Sequence, residues 1–237
     1  MPSTSERSFG QRYTKARDLI EYLKSIPTYA PGNPDLEIAE FDTFVSSLDT
    51  ANNSVASLTS SLQTERDERL VMYKGPQGLI KRASQIRDYI SAVETKGKNS
   101  VEFKKVQKIV MRMRGIRLSK KKLPAEAGAN APKSISTSEV SFGSMLGAGK
   151  EVLQVISGLA SYAPSNTLIT LANFTTFITQ LDAKNSDVAE LLSDWDNAVE
   201  LRYDLYKTLK DRVTKIKSAL AGQYGRQSNE YKDALQY

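Results

Sequence analysis

The chain runs to 237 residues, 40% of them hydrophobic and 25% charged, which is material for one or two packed domains and not for a disordered tail. It contains no Cys and no His, so thiol nucleophiles, imidazole bases, Cys/His zinc sites and His-ligated haem are excluded, and no cofactor is expected. The formal charge of +6 is uneven: residues 1–135 carry 23 Lys/Arg against 15 Asp/Glu, whereas residues 136–237 carry 10 against 12.

The opening MPSTSERSFG is polar and lacks the apolar run of a secretory signal, which gives a cytoplasmic expectation. Ala16, Leu19, Ile20, Leu23 and Ile26 recur at helical spacing and predict a first helix, closed by a loop where Pro27 and Pro31 cannot continue it. Asn33-Pro34 then reads as a helix cap followed by Pro at the first helical position. From there Phe41, Val45, Leu48, Asn52, Val55, Leu62, Arg69 and Tyr73 follow a heptad seam up to Gly75-Pro-Gln-Gly78. That interruption should bend or break the rod before Leu79, Ala83, Ile86, Ile90 and Val93 resume the pattern.

A basic amphipathic helix comes next. Val106, Ile109, Val110 and Met113 form its apolar face, and Lys104, Lys105, Lys108, Arg112 and Arg114 occupy the others, followed by Arg117, Lys120, Lys121 and Lys122. Between Lys104 and Lys133 there are ten basic residues and one acid, Glu126. These nine cations up to Lys122 are candidate contacts to nucleic acid or to an acidic protein partner. Aromatic interleaving of the kind that stacks bases is missing, and a solvated linker with Pro124, Ala125, Gly128 and Pro132 is the plainer reading.

Past this segment the sequence repeats itself. Ser3-Thr-Ser-Glu-Arg-Ser-Phe-Gly10 returns as Ser136-Thr-Ser-Glu-Val-Ser-Phe-Gly143, and Tyr29-Ala-Pro-x-Asn33 returns as Tyr162-Ala-Pro-x-Asn166, both 133 positions on. Phe41, Phe44, Leu48, Asn52, Val55, Arg69 and Tyr73 find Phe174, Phe177, Leu181, Asn185, Val188, Arg202 and Tyr206 at the same distance. Gly97-x-x-Ser100-x-Glu102-Phe103-Lys104 answers Gly225-x-x-Ser228-x-Glu230-Tyr231-Lys232 after small length changes. The organisation predicted is a helical repeat over 1–115, a basic linker over 116–135 and a second helical repeat over 136–237. In the second copy neither Gly nor Pro occurs between Asn166 and Ala221, so a single helix of about 55 residues, ~80 Å long, is the simplest reading.

This succession of an opening Ser-x-Ser-x-x-Ser-Phe, a Tyr-x-Pro-x-Asn loop, an Arg and Tyr on one helical seam and a Gly-x-x-Ser-x-Glu-Tyr/Phe-Lys ending resembles a group of uncharacterised all-helical proteins from Bacteroidetes-type bacteria. The resemblance covers nearly the whole chain, twice, and implies helical repeats. It brings no activity, substrate or catalytic residue.

The expected fold is therefore all-α: a tandem duplication with long coiled-coil-like helices, arranged as a pseudo-twofold bundle or an elongated rod. Asn52 and Asn185, with Arg69 and Arg202, are candidate register residues of the seam; turns at the two asparagines, which would split each repeat into a four-helix bundle, are the alternative. Gly143 to Lys150 imitates a phosphate-binding loop but fails its spacing, since Ser144 stands where a Gly is needed and Glu151 follows Lys150. Carboxylates such as Asp194, Asp196, Glu65 and Glu68 read as solvated helix faces, with no catalytic, cofactor-binding or metal residue among them. The expected function is a non-enzymatic scaffold that self-associates through helical seams into a homo-oligomer or filament, without a membrane span. The alternative is a basic module that holds nucleic acid or an acidic protein through residues 104–122.

Overall fold

The computed structural model describes residues 4–116 and 140–237, with side chains from Phe9 onward in the first stretch. Among the described residues every regular element is helical, and the fold is all-α. α1 spans Thr4–Lys24, α2 Ile38–Lys74, α3 Leu79–Val93, α4 Val101–Met113, α5 Phe142–Ser157, α6 Leu171–Tyr224 and α7 Asn229–Ala234.

The expected local signals act with one difference. Asn33 and Asn166 do cap, but each caps a short 3-10 turn: Asn33 Oδ1 accepts from Asp35 N at 3.1 Å ahead of Pro34–Leu36, and Asn166 Oδ1 accepts from Leu168 N at 3.0 Å ahead of Thr167–Ile169. The long helices start only after these turns. α2 then stops at Gly75-Pro-Gln-Gly78, whereas α6, with no Gly or Pro before Gly222, continues for 54 residues. Both helices pass through these asparagines without a break, so the alternative of turns at Asn52 and Asn185 is not what the chain adopts. Gly97 and Gly225 take positive φ, 51° and 89°, and redirect the chain into α4 and α7, whose first turns are capped by Ser100 and Ser228.

Two compact units result, and they cut across the sequence copies. Unit 1 comprises residues 1–62 with 191–237; unit 2 comprises residues 63–190. Unit 1 is thus built from α1, residues 38–62 of α2, residues 191–224 of α6, and α7. Its core holds Leu19, Ile20 and Leu23 from α1, Phe41, Val45 and Leu48 from α2, and Tyr206, Leu209, Ile216 and Leu220 from α6. Unit 2 joins the end of α2, all of α3, α4 and α5, and residues 171–190 of α6. Its core holds Tyr73, Leu79, Ile86, Ile90, Val106, Val110, Met113, Met145, Val152, Ile156, Phe174, Ile178 and Leu181. Each core is therefore filled by chain from both sides of residues 117–139. Many seam positions are covered by this arrangement: Phe41, Val45, Leu48, Val55 and Leu62 are buried in unit 1, and Phe174, Ile178, Leu181 and Val188 in unit 2, whereas Leu192 stays exposed.

Glycine 149 shows how closely the helices of unit 2 approach. A Cβ at this position would lie 2.7 Å from Ile178 Cδ1 and 3.0 Å from Leu79 Cδ1, so this glycine serves helix packing and lies inside α5, not in a phosphate loop.

Candidate functional site

Buried polar contacts come first, because they decide which residues are free to meet a partner. In unit 1 Asn52 Nδ2 donates to Tyr206 Oη at 2.9 Å, the Tyr206 ring packs 4.7 Å from Phe9, and the Arg202 guanidinium lies 4.6 Å over Phe9. In unit 2 Asn185 Nδ2 donates to Tyr73 Oη at 2.8 Å, the Tyr73 ring packs 5.0 Å from Phe142, and the Arg69 guanidinium lies 4.2 Å over Phe142. Burial pushes both tyrosine hydroxyls above their ordinary range, although the asparagine amide and the nearby arginine act the other way. Burial also lowers Arg69 from its ordinary value. The four candidate register residues thus belong to two matching polar clusters, each with an aromatic floor. Each cluster links α2 to α6 within one unit.

A second matching pair was not singled out in the sequence. Arg212 lies 4.3 Å over Phe44 and donates to Asp35 O at 3.1 Å; Arg82 lies 3.9 Å over Phe177 and donates to Leu168 O at 2.9 Å. Burial lowers Arg82 from its ordinary value. The signal was present, since Arg82 and Arg212 stand 130 positions apart, which is the repeat spacing of 133 once the three residues added at Gly75–Gly78 are discounted. Tyr29 and Tyr162 pin the loops: their hydroxyls donate to Leu36 O at 3.0 Å and Ile169 O at 2.5 Å, and burial pushes Tyr29 up to about 12.

The basic helix is α4. Its apolar face is buried as expected, with Val106, Ile109, Val110 and Met113 all in the core of unit 2. Lys104, Lys105, Lys108 and Arg114 are exposed, and Arg112 is half-buried. Arg112 Nη2 reaches Glu151 Oε2 of α5 at 2.5 Å, and Arg114 Nη2 donates to Ser84 Oγ of α3 at 2.7 Å. Two of the five cations are therefore engaged in holding α4 down. Lys104, Lys105 and Lys108 make no ion pair with any described carboxylate. Arg117, Lys120, Lys121 and Lys122 lie outside the described residues.

Lys105, Lys108 and Arg112 line one wall of an open groove of about 700 Å³ between α4 and α5, with Ile109, Val155 and Leu159 as its apolar lining and Glu102 and Glu151 as its carboxylates. No protein-family model, curated protein or solved structure matches the chain. What the groove does must therefore be read from its own chemistry. It offers two unpaired ammonium groups above an apolar strip, which suits a partner that brings carboxylates and a few aliphatic side chains. Among the described residues no group of three or more carboxylates could hold a metal ion, and no helix is long and apolar enough to cross a membrane.

Proposed function

We propose that the chain is a tandem duplication whose two copies have exchanged halves to form the two units, and that it serves as a non-enzymatic helical scaffold holding an acidic protein segment in the groove between α4 and α5. The duplication is supported by the matching clusters, in which Asn52, Tyr206, Arg202 and Phe9 correspond one by one to Asn185, Tyr73, Arg69 and Phe142 at a spacing of 133. The partner is supported by one observation above others. Lys105 and Lys108 overhang an apolar groove without a carboxylate of their own, so a carboxylate-bearing segment would satisfy both charges as it covers Ile109, Val155 and Leu159. Glu102 and Glu151 in the same lining, and the lack of an aromatic platform, favour protein over nucleic acid.

Titrating poly-glutamate and mixed DNA and RNA fragments into the protein at two salt concentrations tests this reading. Poly-glutamate should bind at about 50 mM salt and weaken markedly by about 200 mM, because exposed charges are screened. Reversing two rim charges with Lys105→Glu and Lys108→Glu costs about 1–2 kcal/mol, close to a tenfold loss. Binding of nucleic acid without binding of poly-glutamate would defeat the proposal.

A second reading, self-association, is favoured by a different surface. Leu192, Val199 and Tyr203 fall on one face of α6 in unit 1, and Tyr203 is 64% exposed. Light scattering against concentration checks it: a mass that rises with concentration and falls back in Tyr203→Glu would support association of copies through this face.

A further inference from the structure

On α6 of unit 1, Asp196, Val199, Glu200 and Tyr203 follow Leu192 by four, seven, eight and eleven residues, which puts all five on one helical face. Leu192 and Tyr203 are exposed, Val199 is half-buried, and Asp196 and Glu200 stand exposed between them. Neither of these carboxylates makes an ion pair with a described residue. The helix thus presents two negative charges about 6 Å apart along its axis, with apolar side chains on either side.

Unit 2 carries the inverse of this pattern. On α4, Lys105, Lys108 and Arg112 follow Val101 by four, seven and eleven residues. Val101 is 60% exposed, and Lys105 and Lys108 overhang Ile109, Val155 and Leu159. The two lysines are about 4.5 Å apart along the axis of α4. Arg112 is committed to Glu151, so two lysines on α4 match two carboxylates on α6 at similar intervals, with the sign reversed.

Neither surface pairs well with its own twin. Two α6 faces brought together set Asp196 and Glu200 against like charges, and two grooves do the same to Lys105 and Lys108. The α6 face laid on the groove neutralises all four charges, and it covers Leu192 and Tyr203 together with Val101, Val155 and Leu159.

We propose that the acidic segment held by the groove between α4 and α5 belongs to a second copy of this chain, and that it is the Leu192–Tyr203 face of that copy's α6. This rests on the reading of the groove given above and names its occupant. The contact is heterologous, since one surface meets a different one. A pair of molecules therefore keeps one open groove and one open α6 face, and further copies add through the same contact until a ring closes or a filament grows.

Light scattering against concentration on the full chain, at about 50 mM salt, tests this. The native chain should rise in mass with concentration, and poly-glutamate should compete with that rise. Lys105→Glu with Lys108→Glu leaves two acidic surfaces, and Asp196→Lys with Glu200→Lys leaves two basic ones; each pair should weaken association at least tenfold. Mixed together, these two variants should form a one-to-one dimer, because the acidic α6 of the first still meets the basic groove of the second. A chain with all four substitutions should associate again, a recovery that misfolded variants would not give. A native chain that binds poly-glutamate through Lys105 and Lys108 but keeps the mass of one molecule at every concentration would overturn this inference and leave the acidic-partner reading standing. Failure of poly-glutamate to bind would remove both. Association undiminished by Asp196→Lys with Glu200→Lys, or variants that recover it neither on mixing nor in combination, would also overturn the inference.

Discussion

Replacing Gly149 by Ala sets two known effects against each other at one position. Ala in place of Gly within a helix gains about 1 kcal/mol of propensity. The added methyl would stand 2.7 Å from Ile178 Cδ1 and 3.0 Å from Leu79 Cδ1, well inside van der Waals contact, and overpacking of this kind costs about 1–3 kcal/mol. The expected net effect of Gly149→Ala is a loss of about 1 kcal/mol, within bounds of about 0–2. Gly147, two residues earlier on the exposed side of α5, has nothing within 4 Å of its Cβ position, so Gly147→Ala should show the gain alone, about 0.5–1 kcal/mol. The corresponding residues of unit 1, Ala16 and Val45, point to the compensation: a methyl on α1 accompanied by a smaller residue on α2. Ile178→Val removes the atom that clashes. By itself it costs about 0.5–1.5 kcal/mol, but combined with Gly149→Ala it should recover most of the overpacking, a coupling of about 1–2 kcal/mol. Urea unfolding at unchanged m-value measures all four variants. Gly149→Ala as stabilising as Gly147→Ala, or strict additivity with Ile178→Val, would refute the packing described for α3, α5 and α6.

Tyr73→Phe strands the Asn185 amide, whose Oδ1 is already buried without a partner, and should cost about 1–3 kcal/mol in urea unfolding; adding Asn185→Leu should recover much of that, because both halves of the Asn185–Tyr73 bond are then gone. Tyr29 holds its proton more tightly folded, at about 12, than at its ordinary 10.0. The stability it contributes is therefore complete below pH 10 and is lost as pH rises from 10 towards 12. Helicity followed from pH 9 to 12 should fall in that window, and an identical profile in Tyr29→Phe would count against the buried phenol as a cause.

Much of the fold was legible because helices announce themselves locally. The stretch without Gly or Pro between Asn166 and Ala221 announced one long helix, as α6 is over Leu171–Tyr224, and Gly75-Pro-Gln-Gly78 marked the break between α2 and α3. Asn52 and Asn185 were ambiguous for a physical reason. A seam asparagine and a turn asparagine look alike until a partner is known, and the partners, Tyr206 and Tyr73, lie 154 and 112 residues away. That α1 and the start of α2 share a core with the end of α6 was not legible at all. An apolar stripe states how much surface must be covered and says nothing of which stretch of chain covers it. The candidate site was half legible: α4 was read correctly as basic and amphipathic, but Arg112 and Arg114 turned out to be tied to Glu151 and Ser84 on other helices, contacts that spacing along α4 does not encode.

Each compact unit is filled by chain from both sides of residues 117–139, and expressing residues 1–116 and 140–237 as separate polypeptides tests whether either unit forms without the other side. Each core would then be split between two molecules, Phe41 and Leu48 parted from Tyr206 and Leu209 in one unit, and Ile86 and Val110 parted from Val152 and Phe174 in the other. Little helicity is expected in either polypeptide alone and, on mixing, a one-to-one complex with the helicity of the intact chain. Two polypeptides that fold separately, sum to the spectrum of the whole and do not bind each other would contradict it.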